Sequence, residues 1–189
     1  MKSQIPTIFV FLLAIGLFSI SYNFVYGQTE VKEYNDDIFD LTFEYPEEWD
    51  DSLDEEKSDV LNDNFRSVSF DILGENKLTV YTKDTDSSVT NLNQLLLDNL
   101  NLLTSTGNMA IKFIDINQDS LLASLPAIMI VNDQRLMLGS DPNITTLLTL
   151  VALSEDGQKT YGLTYKMDKM NFDKYLPVVN KIINSLKIK

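Results

Sequence analysis

Residues 39–49 read Phe-Asp-Leu-Thr-Phe-Glu-Tyr-Pro-Glu-Glu-Trp. Apolar side chains fall at Phe39, Leu41, Phe43 and Tyr45 and polar ones at Asp40, Thr42 and Glu44, the period of two that marks a strand with one buried face. Pro46 closes the strand because its nitrogen cannot donate to a ladder and it restricts the residue before it. Trp49 then supplies a large apolar anchor just past the turn.

The same alternation recurs downstream. Val68, Phe70 and Ile72, then Leu78 and Val80, flank Gly74-Glu75-Asn76 and predict a hairpin. Residues 84–90 (DTDSSVT) offer capping side chains, and Leu92, Leu95, Leu96, Leu100 and Leu103 recur at helical spacing up to Gly107, so this stretch predicts an amphipathic helix covering a sheet face. Strand signals return over 109–117, 125–131, 145–154 and 159–167, with a hairpin turn at Asp156-Gly157. Leu147, Leu148, Leu150, Val151 and Leu153 are too continuous for a one-sided strand and predict burial on both faces. A closing helix over roughly 172–186 carries the stripe Leu176, Val179, Ile182, Ile183 and Leu186. Pro177 requires either a regular helix that begins near Leu176 or a kink. Residues 50–64 read as a polar surface loop. Three strands, a helix, about four strands and a helix make an α+β domain whose sheet is covered by the two helices.

Upstream, the chain has one charged side chain before residue 30, Lys2, followed by an apolar run over 5–20 and the uncharged Ser21-Tyr22-Asn23-Phe24-Val25-Tyr26-Gly27. Residues 1–27 therefore read as a secretory signal, with Val25 and Gly27 at the −3 and −1 positions of a cut, or as an uncleaved membrane anchor using residues 5–26. Both readings place the rest of the chain outside the cytoplasm, secreted or held at the outer face of the cell membrane. Residues 28–37 are polar without periodicity and read as a linker, leaving 38–189 as one domain. That is enough chain for a core without covalent staples.

Composition excludes several chemistries. The 189 residues contain no His and no Cys. Cys/His zinc sites, Ser-His-Asp and Cys-His catalytic pairs, disulfides and lipidated cysteines are therefore ruled out. The formal charge is −13, from 28 Asp+Glu against 15 Lys+Arg, which argues against nucleic acid as a partner. Fifteen of those carboxylates lie between Glu30 and Asp63 against only Lys32 and Lys57, so the whole imbalance belongs to this tract.

Several of these segments resemble the PsbP-like proteins. Leu41-Thr42-Phe43-Glu44-Tyr45-Pro46-Glu47-Glu48-Trp49 is similar to that family's opening F-x-x-x-Y-P-x-x-W pattern. Leu125-Pro126-Ala127-Ile128-Met129-Ile130 is similar to its G-x-P-A strand, with the glycine expected near 124 or 125 missing. Tyr161-Gly162-Leu163-Thr164-Tyr165, Phe172-Asp173-Lys174-Tyr175-Leu176-Pro177 and Ile182-Ile183-Asn184-Ser185-Leu186 resemble its final strand and helix. The resemblance spans residues 38–188 in family order. It implies an α/β/α sandwich on a mainly antiparallel sheet, export across a membrane, and a role in assembly through contact with an extracytoplasmic protein, with no catalysis and no cofactor. Metal binding in photosynthetic members is proposed to use histidines, and this chain has none.

Four features remain as candidate sites. Glu47, Glu48, Asp50 and Asp51 are the densest carboxylates of the 30–63 tract and the candidates for calcium or manganese, an alternative function as a divalent-cation binder. No spacing there matches a coordinating loop, so a solvated surface is the better account. Asp115 to Ser120 begins like a calcium loop but has Ser120 at the glycine position and Pro126 at the terminal Glu position, so a strand end and turn fits better. Asn143-Ile144-Thr145 is an N-glycosylation sequon, a triplet short enough to arise by chance. The six lysines from Lys166 to Lys189 outnumber Asp168 and Asp173, and fit the wet face and C-terminal end of the last helix better than a headgroup site.

Overall fold

The computed structural model describes residues 30–37, 40–58, 65–74, 76–105, 109–137 and 144–189. The elements run β1 (Val31–Asp36), β2 (Leu41–Pro46), a 3-10 turn (Glu47–Ser52), β3 (Leu53–Ser58), β4 (Phe65–Leu73), β5 (Asn76–Asp84), α1 (Leu92–Ser105), β6 (Met109–Leu122), β7 (Leu125–Leu136), β8 (Thr145–Leu153), β9 (Lys159–Asp168), α2 (Lys169–Ser185) and β10 (Lys187–Ile188). Two antiparallel sheets result, a seven-stranded one in the order β3-β4-β5-β9-β8-β7-β6 and a three-stranded one in the order β1-β2-β10.

Alternation along β7 and β8 sorts the core into two layers. Ile128, Ile130 and Val151 face α1, where Leu95 is buried and Leu92, Leu96, Leu100 and Leu103 pack around it. Ala127, Leu148, Leu150 and Ala152 face the other way, together with Leu163, Tyr165 and Met167 of β9, Phe172, Val179 and Ile182 of α2, and Leu41, Phe43 and Tyr45 of β2. The large sheet thus has α1 on one face and α2 with the small sheet on the other. The two-sided burial expected of residues 145–154 is observed.

The structure departs from the sequence reading in four places. The linker expected over 28–37 contains β1, which pairs antiparallel with β2 from Val31↔Pro46 to Asp36↔Leu41. Its one buried side chain is Tyr34, which stacks on Phe43 with ring centroids 5.1 Å apart, so no apolar period announces the strand. The loop expected over 50–64 contains the end of the 3-10 turn and β3, whose partner among the described residues is β4 alone. The last helix begins at Lys169 and carries Pro177 in its interior, so the start near Leu176 does not hold. Tertiary packing outweighs the backbone hydrogen bond that proline removes there. Finally, the N-cap of α1 is Asn91, whose Oδ1 accepts the Gln94 N–H at 3.0 Å, one residue beyond the expected capping segment.

Glycine has left-handed φ at both predicted hairpin turns, Gly74 (62°) and Gly157 (72°). Between β6 and β7, Ala123 (50°) and Ser124 (70°) take left-handed φ without being glycine. This is where the family glycine is missing, and each such residue carries about 1 kcal/mol of strain.

Candidate functional site

The described part of the acidic tract folds into β1, β2, the 3-10 turn and β3. Beneath it lies an aromatic layer. Phe70 of β4 meets Phe43 edge-on at 6.2 Å, Tyr45 at 4.9 Å and Trp49 at 6.2 Å between centroids. The sequence pattern that defines β2 therefore also builds a rigid floor, and the carboxylates stand on its outer side.

Of the four predicted carboxylates, Asp50 is the most engaged. Its Oδ1 accepts the Tyr45 hydroxyl at 2.7 Å, and its Oδ2 accepts Lys32 Nζ at 2.5 Å. The Lys32 hydrogen bond, and then that from Tyr45, hold the Asp50 carboxyl below the ordinary carboxylate range. Burial, reinforced by that same carboxylate, pushes the Tyr45 hydroxyl up to about 12. Glu47 shares Lys32 at 3.8 Å, and Glu48 is exposed beside it on the same turn. The side chain of Asp51, and Asn143 of the sequon, lie outside the described residues.

Two more carboxylates of the tract meet distant lysines. Lys189 Nζ donates to Asp37 at 2.5 Å and to Asn35 at 2.7 Å, and Lys159 lies 3.8 Å from Asp40. Tyr34 donates toward Glu55 at 3.3 Å and Asp36 at 3.4 Å, and burial together with these two charges raises its pKa. Among the described residues, no three or more carboxylates gather in a way that could hold a metal ion. Asp115–Ser120 lies within β6, where Asn117 Oδ1 accepts the Asp119 N–H at 2.9 Å across a register shift.

Two hollows adjoin the acidic end. A cleft of about 70 Å³ between the small sheet and α2 is lined by Val31, Glu44, Tyr45, Pro46 and Lys181, among others, well below the roughly 300 Å³ at which small-molecule sites begin. A wider open hollow of about 320 Å³ sits at the β8–β9 turn against Asp84, Asp156, Lys159 and Tyr161. Asp156 is occupied there by Ser154 Oγ at 2.6 Å and the Gln158 N–H at 3.0 Å.

Sequence reasoning missed one polar knot. Asp133 of β7 is buried, accepts the Thr146 hydroxyl at 2.8 Å, and pairs with Lys169 at the start of α2. Its partners lie 13 and 36 residues away, so no local pattern signals it.

No protein-family profile matches the chain, and no curated protein matches it in sequence. Solved structures do match. Cyanobacterial PsbP (CyanoP) from Synechocystis aligns with a TM-score of 0.60 at 12% identity, covering 87% of this chain and 95% of that one. The chain has a PsbP-like fold. LpqN of Mycobacterium tuberculosis, described as involved in cell envelope biogenesis, aligns with a TM-score of 0.51 at 8% identity over 86% of this chain and 92% of its own. The PsbP-like fold accounts for the mainly antiparallel sheet with two helices. Among the described residues, no helix is long and apolar enough to cross a membrane, and residues 5–26 lie outside them.

Proposed function

We propose that the chain is an exported, non-enzymatic PsbP-like domain that works by protein–protein contact or assembly at the outer face of a membrane, and that its acidic end reads a basic surface on the partner. The observation that carries this reading is the display of carboxylates on strands and a turn over the aromatic floor. Glu33, Glu48 and Asp54 are exposed there on ordered backbone. Ordered charge of one sign gives register and on-rate to an encounter with the opposite sign. The uncharged segment over 5–26 supports export or anchoring. An acid catalyst would need a carboxyl with a raised pKa, and every carboxylate shift resolved among the described residues is downward.

Co-purification from membranes of the native cells tests the reading. The triple variant Glu33→Gln, Glu48→Gln, Asp54→Asn leaves the Lys32–Asp50–Tyr45 contacts intact. Its partner yield should fall severalfold, and the wild-type yield should fall as salt rises from about 0.05 to 0.5 M. Equal yields from variant and wild type at all salt concentrations would refute it. Divalent-cation binding is the second reading; Asp50 weighs against it because both its oxygens are already taken. Heat and a rise in melting temperature on titration with calcium or manganese would reverse that ranking.

A further inference from the structure

We infer that β6 is the seam of a symmetric dimer in which two copies of this chain join their seven-stranded sheets edge to edge. The two edges of that sheet differ. β3 is six residues long with Asp54 and Glu55 exposed, the kind of charged short edge that resists pairing. β6 is 14 residues long and, among the described residues, bonded to β7 alone. It exposes Phe113, Ile114, Ile116 and Leu121, and its only charges are Lys112, Asp115 and Asp119.

The occupant follows from the internal symmetry of β6. Its register against β7 shifts twice, between Phe113 and Asp115 and between Asn117 and Ser120. Ile111 pairs with Gln134, Phe113 with Asn132, Ile116 with Ile130 and Leu121 with Pro126. Ile130 belongs to the layer under α1, so these even-numbered partners put Ile111, Phe113, Ile116 and Leu121 on that same face. The two shifts bring residues five apart onto one face, so Ile111 and Leu121 stand at equal distances on either side of Ile116. Antiparallel pairing about Ile116 sets that residue against Ile116 of the partner subunit and Ile111 against the partner's Leu121. Asp115 then meets the partner's Asn117, and Lys112 meets the partner's Ser120. Phe113 meets the partner's Asp119 and Ile114 the partner's Gln118, so the apolar pairs are Ile116 at the axis and Ile111 with Leu121 on both sides, and no two like charges face each other across this seam. Pairing of β6 with β3 would propagate head to tail, whereas β6 with β6 closes on a two-fold axis. The acidic edge stays open in the dimer, so both copies present it.

The absence of cysteine from the chain makes the seam testable by placing one. Full-length protein in mild detergent, with Ile116→Cys, should be captured as a covalent dimer by a short bismaleimide. Leu73→Cys, somewhat more exposed at the β4–β5 turn, should not. Light scattering on wild-type protein should give twice the chain mass at about 100 μM, a concentration that populates even a micromolar complex. Ile116→Asp opposes two carboxylates at the axis and should lose the dimer with its circular dichroism unchanged. A single-chain mass at that concentration overturns the inference. So does a dimer that captures Leu73→Cys as readily as Ile116→Cys.

Discussion

Removing the Asp133 carboxylate should cost more than any other single charge among the described residues. Asp133 sits opposite Thr146 in the β7–β8 ladder, where its Oδ1 takes the Thr146 hydroxyl at 2.8 Å, while Oδ2 takes Lys169 Nζ and ties α2 to the sheet. In Asp133→Ala the Thr146 hydroxyl, in a residue only 3% exposed, is left without its acceptor. A hydrogen bond to a charged group contributes about 1.5–3 kcal/mol. The Lys169 side chain is 51% exposed and rehydrates, which keeps the loss well below that of a fully buried pair. We expect about 2–3 kcal/mol, or a fall in Tm of roughly 4–12 °C for a domain of this size. The pH dependence separates this cause from simple loss of packing. Burial alone would raise the Asp133 pKa, but hydrogen bonds from Lys169 and Thr146 and the charges of Lys169 and Lys112 outweigh it, so the folded value is depressed. A depressed carboxylate stabilises above its unfolded pKa of about 3.9, and that contribution is lost as pH falls through the folded value. The Tm difference between wild type and Asp133→Asn, followed by circular dichroism, should therefore hold from pH 7 to about pH 5 and shrink below that toward about pH 2. A difference that does not change with pH would refute the electrostatic account, and an unchanged Tm for Asp133→Ala at pH 7 would refute the knot.

Gly162→Ala should destabilise by about 2–3 kcal/mol in urea melts, because a Cβ there falls 2.1 Å from Cζ of the partly buried Tyr81 ring that lies across it; Tyr81→Leu in the same chain should recover part of the loss. Ser124→Gly should raise stability by about 0.5 kcal/mol by relieving its left-handed φ of 70°, and a lower denaturation midpoint would contradict the strain argument. The Tyr45 hydroxyl is held neutral up to about 12, so it stabilises fully below the unfolded value near 10 and progressively less as pH rises through the folded one. Tyr45→Phe should cost about 1 kcal/mol at pH 7 and remove one late-titrating phenol from an alkaline absorbance titration.

The strands with strong apolar alternation, β2, β4, β5, β8 and β9, are legible in the sequence because each buries its own face against a core. β1 and β3 are not. They are held by backbone pairing with β2 and β4, and β1 contributes one buried side chain, so their polar sequences carry no period. The acidic tract is legible as charge, but its arrangement is not. Lys159 and Lys189 reach it from the far end of the chain, and the Tyr45–Asp50 bond depends on the 3-10 turn that follows Pro46.

What the sequence by itself determined is the kind of object: a chain without His or Cys, charged at one end, built from alternating strands and two amphipathic helices. Those are properties of composition and of periods of two and 3.6, which local sterics and burial translate directly into elements. The tertiary structure alone decided which carboxylates are neutralised, which edge of the sheet is acidic and which apolar, and where a buried charge ties a helix to the sheet. Each of these depends on contacts between residues far apart in sequence, whose energies exist only once the sheet order is set.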